Sequence, residues 1–205
     1  MKTAFFLCTV TATFLAVSAF LVLQPGYQVG DKVMDFSLKN VDEKTISLGS
    51  DKTAKGYVLV FTCNTCPVAQ AYEQRVIDLD KQFASKGYPV IAINANDGQL
   101  SPGDSYEAMK KRSADKKYGF PYLIDETQQV AKTFGATHTP TVFVVQRQGS
   151  DFIIKYIGAI DNNAQDGGQA SQKYVQNAVN ELLAGQPVAV PTAKAIGCGI
   201  KWKKA

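Results

Sequence analysis

The stretch Val58-Leu59-Val60-Phe61-Thr62-Cys63-Asn64-Thr65-Cys66-Pro67 decides the fold. Its β-branched and aromatic residues predict a strand, and because they are apolar on both faces, the strand is expected inside a parallel sheet. Two cysteines in the spacing C-x-x-C follow, and an amphipathic helical pattern begins after Pro67. Two thiols at the joint between a strand and a helix can close and reopen a small disulfide ring. The pair therefore predicts redox chemistry.

The proline suggests which of the two sulfurs attacks. Proline favours the first position of a helix, so Pro67 predicts that Cys66 is the N-cap residue. A helix N-terminus presents free N–H groups and a partial positive charge, both of which stabilise a thiolate. We therefore expect Cys66 to be the nucleophile and Cys63 the resolving partner. The opposite assignment stays open, because in many C-x-x-C enzymes the first cysteine attacks.

Two other interpretations of the pair are less favoured. A structural zinc site needs four ligands, and the chain adds only Cys198 and the single His138 as further candidates. We therefore predict no metal site and no cofactor. A purely structural disulfide would stabilise the protein weakly, since so short a ring removes little entropy from the unfolded chain.

Length and charge restrict the function further. The chain has 205 residues and a net charge of +4, which predicts one globular domain without the strong basic surface typical of nucleic-acid binding. We assign residues 28–185 to this domain and residues 186–205 to a C-terminal tail. No nucleic-acid partner is predicted.

The N-terminal segment predicts export. Residues 4–23 carry no charge and follow Lys2, as in a signal peptide with a cleavage point after Ala19. The run is also long enough to act as an uncleaved membrane anchor. Residues 1–23 are thus a signal peptide or an anchor, and Cys8 within them is given no function. In either case we expect an extracytoplasmic domain, periplasmic or secreted.

The remaining patterns predict an α/β protein. A β-hairpin is expected over residues 33–48, and helices are expected to cover both faces of a central sheet. Later elements, in chain order, are a helix from Pro67 to Gly87, a strand over 90–94, a helix over 104–118 opened by a capping box at Asp104, a strand over 120–124, a helix over 127–134, antiparallel strands over 141–146 and 152–157, and a helix capped by Ser171 and ended by Gly185.

With these elements in place, residues 28–184 resemble the thioredoxin-like superfamily. Within it, they are similar to the redoxins, which include the alkyl hydroperoxide reductase/thiol-specific antioxidant (AhpC/TSA) family and the membrane-tethered thioredoxins of cytochrome maturation. The resemblance rests on Asp35-Phe36-Ser37-Leu38, the C-x-x-C turn, the inserted helix and strand between Asp104 and Ile124, and Thr139-Pro140. It implies a thioredoxin-like fold with a mixed sheet.

The resemblance also implies site residues. Pro140 is expected to be a cis-proline beside the cysteines, with the backbone at Thr139 and Pro140 binding substrate. Cys66 falls where thioredoxins and peroxiredoxins keep their nucleophile, whereas Cys63 falls where peroxiredoxins have a threonine. Their arginine is missing near Pro140. This departure disfavours peroxidase chemistry.

Two accessory residues remain open. His138, two residues before Pro140, is either a general base or charge partner for a thiolate or a solvated loop residue. Cys198 is either an ordinary thiol in a docked tail or a resolving or intermolecular thiol.

Three functions are therefore considered. The first is an exported thiol–disulfide oxidoreductase that exchanges disulfides with a substrate and with a reducing or oxidising thiol partner protein. The second is a thiol peroxidase, in which Cys66 becomes a sulfenic acid. The third is a copper carrier that uses Cys63, Cys66 and His138.

Overall fold

Strand β4 (Gly56–Phe61) lies inside an eight-stranded mixed sheet in the computed structural model, which describes residues 26–204. All six residues of β4 are buried. The strand pairs in parallel with β5 and antiparallel with β8. The other strands are β1 (Lys32–Val33), β2 (Ser37–Asn40), β3 (Thr45–Ser47), β5 (Val90–Asn94), β6 (Tyr122–Ile124), β7 (His138–Thr139), β8 (Thr141–Gln148), β9 (Asp151–Gly158) and β10 (Cys198–Gly199). The predicted interior strand is confirmed.

The sheet has the strand order β1-β9-β8-β4-β5-β6-β2-β3, and β10 and β7 form a separate two-stranded sheet. The helices are α1 (Pro67–Phe83), α2 (Tyr106–Lys116), α3 (Gln129–Phe134) and α4 (Tyr174–Leu183). Alternate residues of β4 point to opposite faces. Val58 and Val60 pack in one core with side chains from α1, α2 and α4, and Leu59 and Phe61 pack in a second core with α3.

This arrangement confirms the predicted α/β, thioredoxin-like fold. The N-terminal hairpin forms between β2 and β3, and β2 attaches it antiparallel to β6. The inserted helix and strand are α2 and β6, and the last two strands of the large sheet, β8 and β9, pair antiparallel. Helix α2 buries only Met109, which agrees with its polar sequence.

Three predicted helix starts were wrong. Ser105, not Asp104, is the N-cap of α2, and its side chain accepts a hydrogen bond from the N–H of Ala108. Helix α3 begins at Gln129 rather than Thr127, because Gln128 has a left-handed backbone with φ 61°. Helix α4 begins at Tyr174 after Lys173. Ser171 instead accepts a hydrogen bond from the Asn162 side chain in the preceding loop.

The predicted export segment and Cys8 lie outside the described residues. Within residues 26–204, no helix is both long and apolar enough to cross a bilayer.

Candidate active site

The cysteine pair lies where the sheet meets helix α1. Cys66 is the N-cap residue of α1 and Pro67 occupies the first turn, as the sequence predicts. Both cysteines are thiols and both are buried, Cys63 with 5% and Cys66 with 2% of its surface exposed. Their side chains pack with Ala69 of the helix and with Cys198. Both sulfurs are therefore shielded from solvent by neighbouring side chains.

A buried carboxylate, Asp104, holds the turn between the cysteines. Its oxygens accept hydrogen bonds from the backbone N–H of Asn64 (2.6 Å) and from the hydroxyls of Thr65 (2.6 Å) and Ser101 (2.6 Å). A further bond comes from the side-chain amide of Asn96 (2.8 Å). Burial opposes ionisation of Asp104, but these donors outweigh it and lower the pKa of the carboxyl group. Asp104 thus fixes the loop as a charged acceptor.

Thr139 contacts both thiols. Its hydroxyl lies 3.1 Å from the Cys63 sulfur, and its carbonyl oxygen accepts a hydrogen bond of 3.3 Å from the Cys66 thiol. The Thr139–Pro140 peptide is cis, which confirms that prediction. The structure therefore brings Cys63, Cys66, Thr139 and Pro140 together.

The surroundings of Cys66 favour its thiolate. Burial opposes ionisation, but the Cys198 thiol and N–H, together with the N–H groups of Ala69 and Val68 in the first turn of α1, lower the pKa of Cys66. The direction is the one that the helix N-terminus predicts. The contribution of Cys198 was not foreseen in the sequence.

The surroundings of Cys63 favour its thiol. Burial raises the pKa of Cys63, and the hydroxyl of Thr139 offsets only part of this effect. The negative charge of Asp104 acts in the same direction as burial. The pair therefore combines a sulfur whose pKa is lowered, at Cys66, with a sulfur whose pKa is raised, at Cys63.

His138 lies in β7, next to Thr139, and is exposed. Its Nδ1 atom forms a hydrogen bond of 2.8 Å with the hydroxyl of Thr137. Its backbone pairs with Gly199 of β10. The predicted role of His138 toward the thiolate stays a prediction.

Cys198 lies in β10, opposite Thr139. Its side chain packs against the cluster of Cys63, Cys66 and Ala69, and the interaction with Cys66 is the main reason that the pKa of Cys198 rises to about 11. The tail is therefore docked, as one of the two interpretations of Cys198 expected, and it is docked on the cysteine pair.

All three arginines of the chain bind groups outside the thiol cluster. Arg75 forms an ion pair of 2.7 Å with Asp161, and Arg112 one of 2.7 Å with Glu73. Arg147 donates to the backbone carbonyls of Ala54 (2.7 Å) and Asp51 (2.6 Å). In residues 26–204, no cluster of three or more His, Cys, Asp or Glu side chains has the arrangement needed to hold a metal ion.

Sequence reasoning missed Asp104 as a site residue. Its local pattern is that of a helix cap, because Glu107 follows three residues later. A local pattern cannot show that the carboxylate bonds to a loop about forty residues earlier in the chain. One signal was available in the sequence. Ser105, directly after Asp104, is itself a good N-cap residue, so Asp104 was not needed as the helix cap.

The fold and the buried C-x-x-C pair define a thioredoxin-like protein of the redoxin type. The model of the AhpC/TSA family matches residues 29–156, and the chain belongs to this family.

Similar proteins agree with this class. Thiol-disulfide oxidoreductase ResA of Halalkalibacterium halodurans is 26% identical over 124 residues, which are 60% of this chain and 65% of that relative, so the match spans slightly less than two thirds of the relative's length. A crystal structure of an uncharacterized conserved protein from Geobacillus kaustophilus is 34% identical, with a TM-score of 0.80 over 87% of this chain and 94% of its own. A hypothetical protein from Sinorhizobium meliloti 1021 is 29% identical, with a TM-score of 0.81 over 88% and 97%.

Proposed function

We propose that the protein is a thiol–disulfide oxidoreductase. The observation that carries this proposal is the unequal pair at the turn, with the pKa of Cys66 lowered and that of Cys63 raised while Thr139 contacts both sulfurs. A nucleophile and a protonated resolving thiol side by side are what disulfide exchange requires. The name of the ResA relatives supports the same class.

In the proposed reaction, the Cys66 thiolate attacks one sulfur of a substrate disulfide. The substrate S–S bond breaks, a mixed disulfide forms on Cys66, and the first substrate sulfur leaves as a thiolate. Cys63 then loses its proton and attacks the Cys66 sulfur, so that the second substrate thiolate leaves. The products are a Cys63–Cys66 disulfide and a substrate dithiol. A dithiol partner protein reduces the pair again, and the reverse sequence would oxidise a substrate.

Peroxidase activity is the second candidate, and membership of the AhpC/TSA family is the observation that favours it. A peroxidatic cysteine needs donors that stabilise the leaving oxygen. Here Cys63 stands at the threonine position of the peroxiredoxins, and the three guanidinium groups are bound to Asp161, Glu73 and backbone carbonyls near Ala54. We therefore expect peroxide turnover to be slow.

The deciding experiment presents the purified protein with insulin and dithiothreitol, and separately with hydrogen peroxide. We expect insulin reduction that is lost in Cys66→Ser, and a mixed disulfide with insulin that is trapped in Cys63→Ser combined with Cys198→Ser, which removes both thiols that could resolve it. Rapid conversion of Cys66 to a sulfenic acid by micromolar peroxide, without insulin reduction, would replace the proposal by the peroxidase. Copper binding that requires Cys63, Cys66 and His138 would support the third hypothesis.

The uncharged residues 4–23 support an extracytoplasmic site of action, either periplasmic or secreted. In that compartment the pair would stay oxidised unless a thiol partner reduces it. Cell fractionation with an antibody to the domain tests this location, and recovery of the protein in the cytoplasm would contradict it.

A further inference from the structure

The C-terminal segment covers the backbone edge beside the cysteines. Strand β10 (Cys198–Gly199) pairs antiparallel with β7, with Cys198 opposite Thr139 and Gly199 opposite His138. The next residue, Ile200, donates its N–H to the carbonyl of Thr137 (2.9 Å). An extended substrate was expected to pair at this edge, next to Pro140. The chain's own tail pairs there instead.

Gly197 allows the tail to approach this closely. A Cβ atom at position 197 would lie 1.9 Å from the carbonyl oxygen of Thr139 and 3.2 Å from the nitrogen of Pro140. Any side chain would therefore push the segment off the cis peptide. A Cβ atom at Gly199 would meet only the carbonyl oxygen of Thr137, at 4.0 Å. The two glycines thus form a matched pair for experiment.

Side chains of the domain hold the tail after β10. Asn96 accepts the N–H of Lys201 through its side-chain oxygen (2.9 Å). The buried Gln128 donates to the carbonyl of Lys201 (2.9 Å) and accepts the N–H of Lys203 (2.8 Å). Ile200 is buried in the same core as Leu59 and Phe61. The segment is thus docked by specific contacts directly after Cys198.

The docked tail places Cys198 directly on the nucleophile. Cys198 packs against the cluster of Cys63, Cys66 and Ala69, and it lies opposite Thr139, whose carbonyl oxygen accepts a hydrogen bond from the Cys66 thiol. Cys66 is 2% exposed, whereas Cys198 is only partly buried. With the tail in place, Cys198 is therefore the thiol of the cluster that solvent reaches most readily.

We propose that the C-terminal strand is an internal substrate of the site and that Cys198 is its third redox residue, exchanging a disulfide with Cys66. The inference rests on the proposed disulfide exchange and deepens it. The Cys198 thiolate attacks the Cys66 sulfur of the Cys63–Cys66 disulfide. A Cys66–Cys198 bond forms, the Cys63–Cys66 bond breaks, and Cys63 leaves with the electron pair and takes up the proton that Cys198 lost.

One disulfide is present before and after this step, so it consumes no oxidant. Its product fastens the tail covalently across the edge at Thr139, where a protein substrate would pair. A substrate or partner then reaches the pair only after Cys198 is released by a thiol. The negative charge of a reduced Cys66 raises the pKa of Cys198. Cys66 carries no charge when it is part of a disulfide, so this opposition to ionisation of Cys198 is then absent.

The test uses the full chain with Cys8→Ser and Cys63→Ser, in mild detergent, oxidised with glutathione disulfide. After blocking of free thiols, unfolding and tryptic digestion, a Cys66–Cys198 bond joins peptide 56–75 to peptide 195–201. We expect this linked peptide to be the main oxidised product, in a monomeric chain. Glutathione left on Cys66 with Cys198 free, or dimers linked through Cys198, would overturn the inference.

The matched glycines test the strand itself in the same background. Gly197→Ala should lower the yield of the linked peptide about tenfold, because overpacking of this size displaces the docked segment. Gly199→Ala should leave the yield unchanged. Equal yields in folded Gly197→Ala and Gly199→Ala proteins would show that the strand does not deliver Cys198. Should Gly197→Ala lose its thermal unfolding transition, the Cys63→Ser measurement alone decides.

A separate variant distinguishes this inference from the proposed function. In Cys8→Ser with Cys198→Ser, the Cys63–Cys66 disulfide and insulin reduction should persist, although at a changed rate, because the Cys198 thiol contributes to the lowered pKa of Cys66. If both persist while the linked peptide is missing in Cys63→Ser, only the inference on Cys198 fails. If both are lost, the proposed exchange by Cys63 and Cys66 fails.

Discussion

The sulfur of Cys63 lies 3.1 Å from the hydroxyl oxygen of Thr139, although the two residues are 76 positions apart in the chain. The carbonyl oxygen of the same threonine accepts a hydrogen bond from the Cys66 thiol. One residue thus contacts both members of the redox pair, through its side chain at one sulfur and through its backbone at the other. The hydroxyl can be removed by mutation without changing the carbonyl.

Thr139→Val should raise the pKa of Cys63 further. Valine keeps the shape of threonine but lacks the hydroxyl. The rise in the pKa of Cys63 that burial causes is then no longer offset by a hydrogen bond to residue 139. A net hydrogen bond is worth about 0.5–1.5 kcal/mol, which corresponds to a rise of up to about one pKa unit. The measurement is the pH dependence of iodoacetamide alkylation of Cys63 in a Cys66→Ser background.

Thr141→Val is the control for this change. The Thr141 hydroxyl donates to the carbonyl of His138 (2.7 Å), so it supports the same loop through a hydrogen bond that does not involve Cys63. We expect no upward shift in Thr141→Val. Equal shifts in both variants would mean that the loop, rather than the Thr139 hydroxyl, sets the acidity of Cys63.

The two sulfurs should separate clearly in their acidity. Cys66 in Cys63→Ser should reach half of its maximal alkylation rate below the pKa of about 8.5 of a free cysteine, and Cys63 in Cys66→Ser above it. Cys198→Ser is added to both, since serine keeps a hydroxyl donor toward Cys66. The assignment of the nucleophile is reversed if Cys63 proves the more acidic thiol.

Asp104→Asn should destabilise the protein and loosen the cysteine turn. Asparagine carries an NH₂ donor where aspartate carries a second acceptor oxygen. This donor would face groups of Asn64, Thr65 and Ser101 that are themselves hydrogen-bond donors. Leaving such groups unsatisfied costs about 1–3 kcal/mol in the free energy of unfolding. Urea denaturation at neutral pH measures the loss. Asp115→Asn, at an exposed carboxylate in α2, is the control and should stay within about 0.5 kcal/mol of the parent.

The destabilisation by Asp104→Asn should also depend on pH. The pKa of Asp104 is lower in the folded protein than the value of about 3.9 in the unfolded chain. The stabilisation by the carboxylate is therefore complete above about pH 3.9 and is lost as the pH falls through the folded pKa. The difference in unfolding free energy between parent and variant should shrink in that acidic range. A difference that is independent of pH would show that the charge contributes nothing.

Gln128→Asn should free the C-terminal segment. Asparagine tolerates the left-handed backbone at this position, but it is one methylene shorter and loses its reach to the backbone of Lys201 and Lys203. We expect faster tryptic cleavage at Lys194 and Lys201 under native conditions. Gln129→Asn, at an exposed neighbouring position, should cleave like the parent, and equal cleavage of both variants would contradict the anchoring role.

The strand, the turn and the start of α1 could be predicted because their signals are local. Six consecutive buried residues in β4 match an uninterrupted apolar run, and Pro67 fixes the helix start next to Cys66. The prediction of the sheet and of its hairpins succeeded for the same reason: alternation and turn residues lie within a few positions of one another.

The remaining part of the site depends on contacts between distant residues. Asp104 carries the local pattern of a helix cap, and only the fold shows that its carboxylate binds the cysteine turn. Strand β10 has two residues, which is too short to give a periodic pattern, and its partner β7 is equally short. The contact of Cys198 with Cys66 could therefore not be derived from spacing.

The pairing of β10 with β7 also has a consequence for the order in which the site is assembled. A polypeptide is made from its N-terminus, so β4, the cysteine turn and Pro140 all exist before residues 196–200 have been added. A chain that ends before β10 contains every strand of the large sheet but lacks the strand that covers the edge at Thr139. The strand that covers the edge beside the reactive cysteines is thus among the last parts of the chain to be synthesised, after Cys63, Cys66 and Pro140.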